Sequence, residues 1–400
     1  MPVTSPFPSR SATDRCPGVV RLGEAADGLL ARVRLPGGLI SADQLRVLAR
    51  LATALGDGRV ELTSRGNLQL RGLAAAAASP LTSELTAAGL LPSLPHDRVR
   101  NVLASPLAGL DAGADLTEVV RCLDAALCAR PPLAGLSGRF LFAVDDGRGD
   151  VAGLGADVVA TVRPDGAVVN GLRVPCPAPA GEAPGGGVPD GLRDRAVAAM
   201  LACAEAFLDL RAELGGTAWR IADLPGGPGR VRAAVAARLG LATAREESRA
   251  AAARPVGLVA GEAAAGGGAK SVVLLAPLGR LTSAQLTWVA DRLTGRAARV
   301  TPWRSVVLPH PRDASGVLSD AAGLGFGTDE ASPWLRVTAC AGRPGCASAL
   351  ADVQADAAGF AARWPERIVH VSGCARHCGR PAATQVDVTA TSEGYQVAGI

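Results

Sequence analysis

Two stretches of this chain read alike: "LLARVRLPGGLISADQLRVLARLATALGDGRVELTSRGNLQLRGL" (Leu29 to Leu73) and "SVVLLAPLGRLTSAQLTWVADRLTGRAARVTPWRSVVLP" (Ser271 to Pro309). Each runs strand, turn, helix, strand, with apolar residues at helical spacing between strand-like runs. Gly38 matches Gly279, Gln44 matches Gln285, Thr63 matches Thr301, and Leu70 matches Leu308. A chain rich in Ala, Leu and Arg produces some agreement by chance. The shared order of elements and turn residues points instead to duplication. Two copies of a helix-bearing β unit imply an α+β fold with mixed sheets.

Working outward, "LSGRFLFAVDDGRGDVAGLGADVVATVRPDGAVVNGLRV" (Leu136 to Val174) alternates in hydropathy and carries "DDG" and "PDG" turns, which predicts an antiparallel hairpin or meander. "CPAPAGEAPGGGVPDG" (Cys176 to Gly191) reads as a flexible loop, and a helix is predicted around Leu192 to Leu214. "ARPVGLVAGEAAAGGGAK" (Ala253 to Lys270) reads as a linker between the halves. At 400 residues the chain exceeds what one ordinary core organises, so two or more domains are expected.

The composition is that of a globular protein, 48% apolar and 20% charged. A formal net charge of +4 leaves no nucleic-acid footprint at this length. Lys270 is the only lysine, so a catalytic Schiff base or ammonium pair is hardly available. Arginine, which keeps its charge and binds carboxylates through a planar fork, suits the anchoring of an anionic substrate better than proton transfer. The N-terminus "MPVTSPFPSRSATDR" has no apolar signal region, and no apolar run approaches bilayer length. The expectation is a cytoplasmic protein with no membrane contact, in which nine cysteines are reduced thiols or metal ligands. No G-x-G-x-x-G stands at a strand-to-helix junction; "PGGPGR" near Gly226 reads as a loop.

Four cysteines lie in "CAGRPGCASALADVQADAAGFAARWPERIVHVSGCARHCGR" (Cys340 to Arg380), as C-x5-C and then C-x3-C. Four thiolates serve an iron–sulfur cluster or a structural zinc. The first spacing is wider than a zinc knuckle prefers, and the flanking Gly373 and Gly379 let backbone N–H groups approach sulfur. Spacing alone leaves zinc open. Cys122, Cys128 and Cys203 lie in helical, Ala/Leu-rich settings and read as core thiols; Cys16 and Cys176 sit in turn-like settings. His370 and His377 read as ordinary loop or strand-edge residues.

"TACAGRPGC" and "SGCARHCGR" resemble the cluster motifs of the siroheme nitrite and sulfite reductase superfamily. The resemblance implies that Cys340, Cys346, Cys374 and Cys378 hold a 4Fe-4S cluster, with Cys378 closest to any tetrapyrrole. "LTSRGNLQLRGL" is similar to the family's T-x-R-x-x-x-Q strand, which places Arg65 and Gln69 at the tetrapyrrole site. "VRNVLASP" resembles its R-N-V turn, carrying over Arg100 and Asn101. The implied fold is α+β: duplicated ferredoxin-like half-domains plus two mixed α/β reductase-type domains related by a pseudo-two-fold. The implied boundaries are a half-domain over 1–75, a reductase-type domain over 76–250, a linker over 251–270, a second half-domain over 271–315 and a cluster domain over 316–400.

The reductases resemble one another in a K-F-K strand whose lysines protonate and hold the inorganic anion. Here that strand is "LSGRFLFAVDDG", with Arg139 and Leu141 at the two positions. Arginine cannot deliver the protons of a six-electron reduction. "RCPGVVRLGEAADGLLARVRLPGG", "FAVDDG" and "TPWRSVVL" are similar instead to the precorrin-3B synthase branch of aerobic cobalamin biosynthesis. In that branch the tetrapyrrole is substrate: precorrin-3A is hydroxylated with dioxygen and electrons from NADH, and a ring-A acetate closes a lactone. It also implies a non-haem iron whose ligands the sequence does not assign, and a reductase partner that passes electrons from NADH. Arg65, Gln69, Arg100, Asn101 and Arg139 become the expected substrate-binding residues; no catalytic residue is assigned. The rivals are a siroheme-dependent nitrite or sulfite reductase, a non-enzymatic iron–sulfur electron carrier and a zinc-stapled domain. The chain ends at "GYQVAGI", soon after the last cysteine pair, which implies a final sheet shorter than in the reductases or one continued outside this chain.

Overall fold

The computed structural model describes residues 14–111, 113–177, 187–244, 254–261, 269–381 and 383–399. Most of the loop expected after Cys176 (178–186) lies outside the described residues, as do residues 1–13 and parts of the expected linker (251–253 and 262–268).

The duplicated units form two interlocked sheets. In the first, the order is β1 (Gly23–Ala25), β2 (Gly28–Val33), β5 (Leu68–Leu73), β4 (Arg59–Leu62) and β13 (Arg280–Thr282). In the second it is β11 (Gly257–Ala260), β12 (Lys270–Leu275), β15 (Ser305–Leu308), β14 (Ala298–Val300) and β3 (Leu39–Ile40). Each unit lends one short strand to the other's edge: β13 pairs with β4, and β3 with β14, all antiparallel. The crossing needs a tight turn with a left-handed residue, which is why glycine recurs there. Gly38 has φ +70, and a Cβ on it would meet the Val300 carbonyl at 2.0 Å; Gly279 has φ +75. Strand β11 falls inside the stretch expected to be a linker. It pairs with β12 as β1 pairs with β2, so that segment extends the repeat.

The matched glutamines explain themselves in space. Ser41 caps α1 (Ala42–Leu55) and Thr282 caps α6 (Ser283–Asp291), each in a reciprocal box with Gln44 or Gln285 three residues on. Gln44 Nε2 then reaches the Ala88 carbonyl at the end of α2 (Ala78–Ala87), at 3.1 Å. Gln285 Nε2 reaches Leu324 at the end of α7 (Ala314–Gly323), at 2.9 Å. Thr63 and Thr301 close equivalent turns by accepting backbone N–H groups from Asn67 and Ser305, each at 3.2 Å. One core joins both units, from Leu48 and Leu70 in the first to Leu286 and Leu308 in the second.

A second duplication frames the first. The third sheet runs β10 (Leu172–Pro175), β9 (Gly166–Val169), β8 (Val158–Arg163), β7 (Phe142–Asp145) and β6 (Val102–Ala104). The fourth runs β16 (Val337–Ala339), β17 (Val369–Ser372), β18 (Val386–Thr391) and β19 (Gly394–Ala398). Both begin with three parallel strands and turn antiparallel at the fourth. The "PDG" hairpin joins β8 to β9 as predicted, but β7 and β8 are parallel, so "DDG" is no hairpin turn. The Asp145 carboxylate instead accepts the N–H groups of Gly147, Gly149, Val151 and Ala152, folding the segment back on itself. Helices α3 (Thr117–Cys128), α4 (Asp190–Glu213) and α5 (Gly227–Leu239) cover the third sheet, and α8 (Val353–Arg363) packs on the fourth. Gly226 proves to be the left-handed N-cap of α5 rather than a loop residue. No helix among the described residues is long and apolar enough to cross a membrane.

Candidate functional site

The face of the first sheet turned away from its apolar core carries a polar row, buried to half-buried. Strand register sets Arg32 opposite Gln69, Gln69 opposite Glu61 and Glu61 opposite Arg280, while Leu68 and Leu70 face the core. Arg32 Nη2 donates to Gln69 Oε1 at 2.9 Å, and Gln69 Nε2 donates to Glu61 Oε2 at 2.9 Å. Burial raises the Glu61 carboxyl, opposed by the Arg71 and Arg280 guanidiniums. The duplicated sheet has lost this row: Val273 and Val307 face Leu107 and Leu110, and Arg299 is spent on the Pro106 and Ala108 carbonyls. Among the described residues, the polar row belongs to the first copy of the repeat and has no counterpart on β12 and β15.

Arg65 lies at the end of this face, in the turn between β4 and β5. Its Nη1 donates to the Gly138 carbonyl at 3.1 Å. Burial lowers its pKa, and neighbouring Arg220 and Arg32 add to the fall. Arg34, fully buried one pleat from Arg32, is lowered chiefly by burial and then by Arg32. Arg139 is exposed, stacks over Trp219 at 4.7 Å and interacts with the Cys16 thiol. A concentration of positive charge therefore gathers around Cys16, from Arg32, Arg34, Arg65 and Arg139. Burial, followed by Asp14, raises that thiol's pKa. Like charges crowded this way suit a polyanionic ligand. Leu141, where the reductases carry the second lysine, is buried against Leu103, Ala143 and Val151.

Two expected site residues stand elsewhere. Arg100 is buried and grips Asp124 with Nε and Nη2, both at 2.7 Å, while Nη1 binds the Leu90 carbonyl at 3.0 Å. Asn101 is 1% exposed and spans the Arg98, Gly138 and Phe140 carbonyls. Both are structural: the R-N-V turn locks the third sheet to the first rather than offering side chains to a ligand. Arg32, Arg71 and Arg220 were missed. For Arg32 and Arg71 the available signal was alternation, which puts Arg71 on the same face of β5 as Gln69.

The two cysteine pairs occupy neighbouring loops after β16 and β17. Leu350 N–H donates to the Gly373 carbonyl at 2.7 Å, Gly373 N–H to Cys340 Sγ at 3.1 Å, and Gln354 Nε2 to the Cys340 carbonyl at 2.7 Å. A Cβ on Gly373 would meet Ala349 Cβ at 2.7 Å, so glycine permits the loops' close approach. Cys340, Cys346 and Cys374 are half-buried and Cys378 is exposed. Four thiols on neighbouring loops, with a backbone N–H aimed at the Cys340 sulfur, match the chemistry of a thiolate-ligated cluster. Among the described residues, no three His, Cys, Asp or Glu side chains converge tightly enough to hold one ion. His370 is buried on the central strand β17, not at a strand edge, with Nδ1 2.8 Å from Thr338 Oγ1. By contrast, burial pushes the core Cys203 thiol up to about 12, and burial together with Asp124 pushes the half-buried Cys128 thiol up to about 11, so both stay protonated.

Residues 22–88 match the family model of the nitrite/sulfite reductase ferredoxin-like half domain. The chain is 29% identical to a precorrin-3B synthase of Sinorhizobium sp. over 95% of its own length and 81% of that protein. It is 35% identical to the ferredoxin–nitrite reductase of Synechococcus elongatus over 127 residues, covering 30% of this chain and 25% of that one. Its fold is shared with the Mycobacterium tuberculosis NirA protein at a TM-score of 0.70 and 20% identity, over 92% of this chain and 74% of that structure. The chain thus carries a half domain of the nitrite/sulfite reductase type and shares the NirA fold, and over 95% of its length it is similar to a precorrin-3B synthase.

Proposed function

We propose that this protein is an oxidoreductase of the precorrin-3B synthase type, hydroxylating precorrin-3A with dioxygen and closing a lactone from a ring-A acetate. The observation that carries this reading is the group of Arg32, Arg65 and Arg139 gathered around Cys16, beside the polar face of the first repeat. Precorrins bear several carboxylates, and guanidinium forks pair with them bidentately. Gln69 holds Arg32 in place, and Trp219 holds Arg139. Where the reductases carry the second lysine, this chain has Leu141, buried against Leu103, Ala143 and Val151, so no ammonium stands there.

Cys340, Cys346, Cys374 and Cys378 would hold a 4Fe-4S cluster, which supplies electrons one at a time. NADH would be the ultimate electron source through a partner reductase, since no dinucleotide-binding fingerprint is present in the sequence. A cytoplasmic location accords with nine unpaired thiols.

The test is incubation with precorrin-3A under air and reductant, followed by mass analysis. A gain of one oxygen supports the proposal; an unchanged substrate with an intact cluster counts against it. A siroheme-dependent reductase would show strong visible bands and extractable siroheme in the purified protein. A bare electron carrier would bind no precorrin.

A further inference from the structure

Arg71 is two residues beyond Gln69 on β5, and its side chain is 8% exposed. Its Nε and Nη2 form a fork to Asp27, at 3.0 and 2.9 Å. The same Nη2 donates to the carbonyl of Gly345 at 2.8 Å. Gly345 is the residue before Cys346, inside the first cysteine loop. A Cβ there would meet Arg71 Nη2 at 2.8 Å and Asp27 Oδ2 at 3.4 Å, so the loop lies directly on the Arg71–Asp27 pair.

The loop's other end is held from within its own domain, by Gln354 on the Cys340 carbonyl and Gly373 N–H on Cys340 sulfur. The Cys346 end is held by a residue of the first sheet, 274 positions away in sequence. That residue is charged. Burial works against its guanidinium, but the bond to Asp27 and the neighbouring Glu61 hold its pKa above the ordinary range. Glu61 lies 4.0 Å from Arg71 Nε and is bonded to Gln69, which is bonded to Arg32. The polar row thus runs unbroken from the arginine group to the Cys346 loop.

We infer that Arg71 is a positioning residue for the iron–sulfur cluster: it fixes the Cys346 ligand by its bond to Gly345 and sets the cluster's reduction potential through its charge. This rests on the cluster reading above. Partners of this kind outside the ligand set typically contribute tenfold to a hundredfold to metal retention, and net charge beside a cluster tunes its potential.

The experiment uses the full chain purified anaerobically, with iron and sulfide content, a redox titration of the cluster followed by electron paramagnetic resonance, and the rate of cluster loss to a chelator. Arg71→Gln should lower the midpoint potential and speed cluster loss roughly tenfold. Asp27→Asn keeps the guanidinium but opens its fork. It should speed cluster loss by a smaller factor, and it decides the matter if Arg71→Gln fails to accumulate. Wild-type loss rate and potential in a folded Arg71→Gln protein, or a wild-type loss rate in Asp27→Asn where that variant decides, overturn the inference. A wild-type protein without iron and sulfide overturns the cluster reading instead, so the two failures are distinguishable.

Discussion

The side-chain amide of Asn67 donates to Asn101 Oδ1 at 3.2 Å, with both residues buried. The two sit in the motifs that define the polar strand and the R-N-V turn, and their contact joins the first sheet to the third. Asn67 Oδ1 also accepts the Leu35 N–H at 2.9 Å, while Asn101 Nδ2 serves three carbonyls. Replacing Asn101 by alanine strands at least two buried partners. Each stranded group costs about 1–3 kcal/mol, so a loss of roughly 2–4 kcal/mol is expected. Chemical denaturation of Asn101→Ala checks this. Near-wild-type stability together with lost precorrin affinity would return Asn101 to the ligand site.

Arg100 and Arg65 come from the same kind of sequence argument and should behave oppositely. Arg100→Met leaves the half-buried Asp124 without its fork partner and strands the Leu90 carbonyl, which costs about 1–3 kcal/mol. The double variant Arg100→Met with Asp124→Leu should recover part of that loss. Arg65→Gln gives up one bond, to Gly138, and relieves crowding with Arg220 and Arg32. Its stability should change by less than about 1 kcal/mol, while precorrin binding weakens about tenfold, as one charge-assisted contact is worth. Denaturation and titration with precorrin-3A separate the two.

Much of this was legible because the repeat is periodic and local. Capping glutamines, crossing glycines and the threonine turns are short-range devices, and their duplication reveals two units before any contact is known. Strand β11 was not legible, because glycine and alanine around it mimic a linker and only pairing with β12 makes "GLVA" a strand. The parallel pairing of β7 with β8 was hidden for a related reason: "DDG" reads as a hairpin until the Asp145 carboxylate is seen collecting four N–H groups. In the site, motif membership could not tell a guanidinium beside the polar face, as of Arg65, from one spent on Asp124, as of Arg100. That distinction depends on what lies across the interface, which is tertiary information.

The cysteines separate by setting. Cys378→Ser removes an exposed thiol on a loop hydrogen-bonded to its neighbour, and under the cluster reading it should abolish or cripple cluster retention. Cys203→Ser alters a buried core thiol and should leave iron and sulfide content unchanged while costing some stability. Metal and sulfide analysis of both proteins, purified anaerobically, reads the result. Equal cluster content in the two would overturn the ligand assignment.

Asp150 gives the fold a pH dependence of definite sign. Burial raises its carboxyl to about 6 from the ordinary 3.8; the Ser105 hydroxyl, donating at 2.6 Å, and Arg148 oppose the rise, while Asp145 and Asp146 add to it. The folded state therefore holds this proton more tightly than the unfolded chain does. Its contribution is fully present below about pH 4 and is lost as pH climbs toward 6, so stability falls with rising pH across that window. A rise of this size is worth about 3 kcal/mol. Asp150→Asn keeps an oxygen for Ser105 without the charge, so the variant should gain on the wild type by about that amount between pH 4 and 7. Denaturation of both proteins at several pH values isolates the term, because every other titrating group is shared. Two parallel profiles would mean that the Asp150 carboxylate is solvated in the fold and its proton is not held.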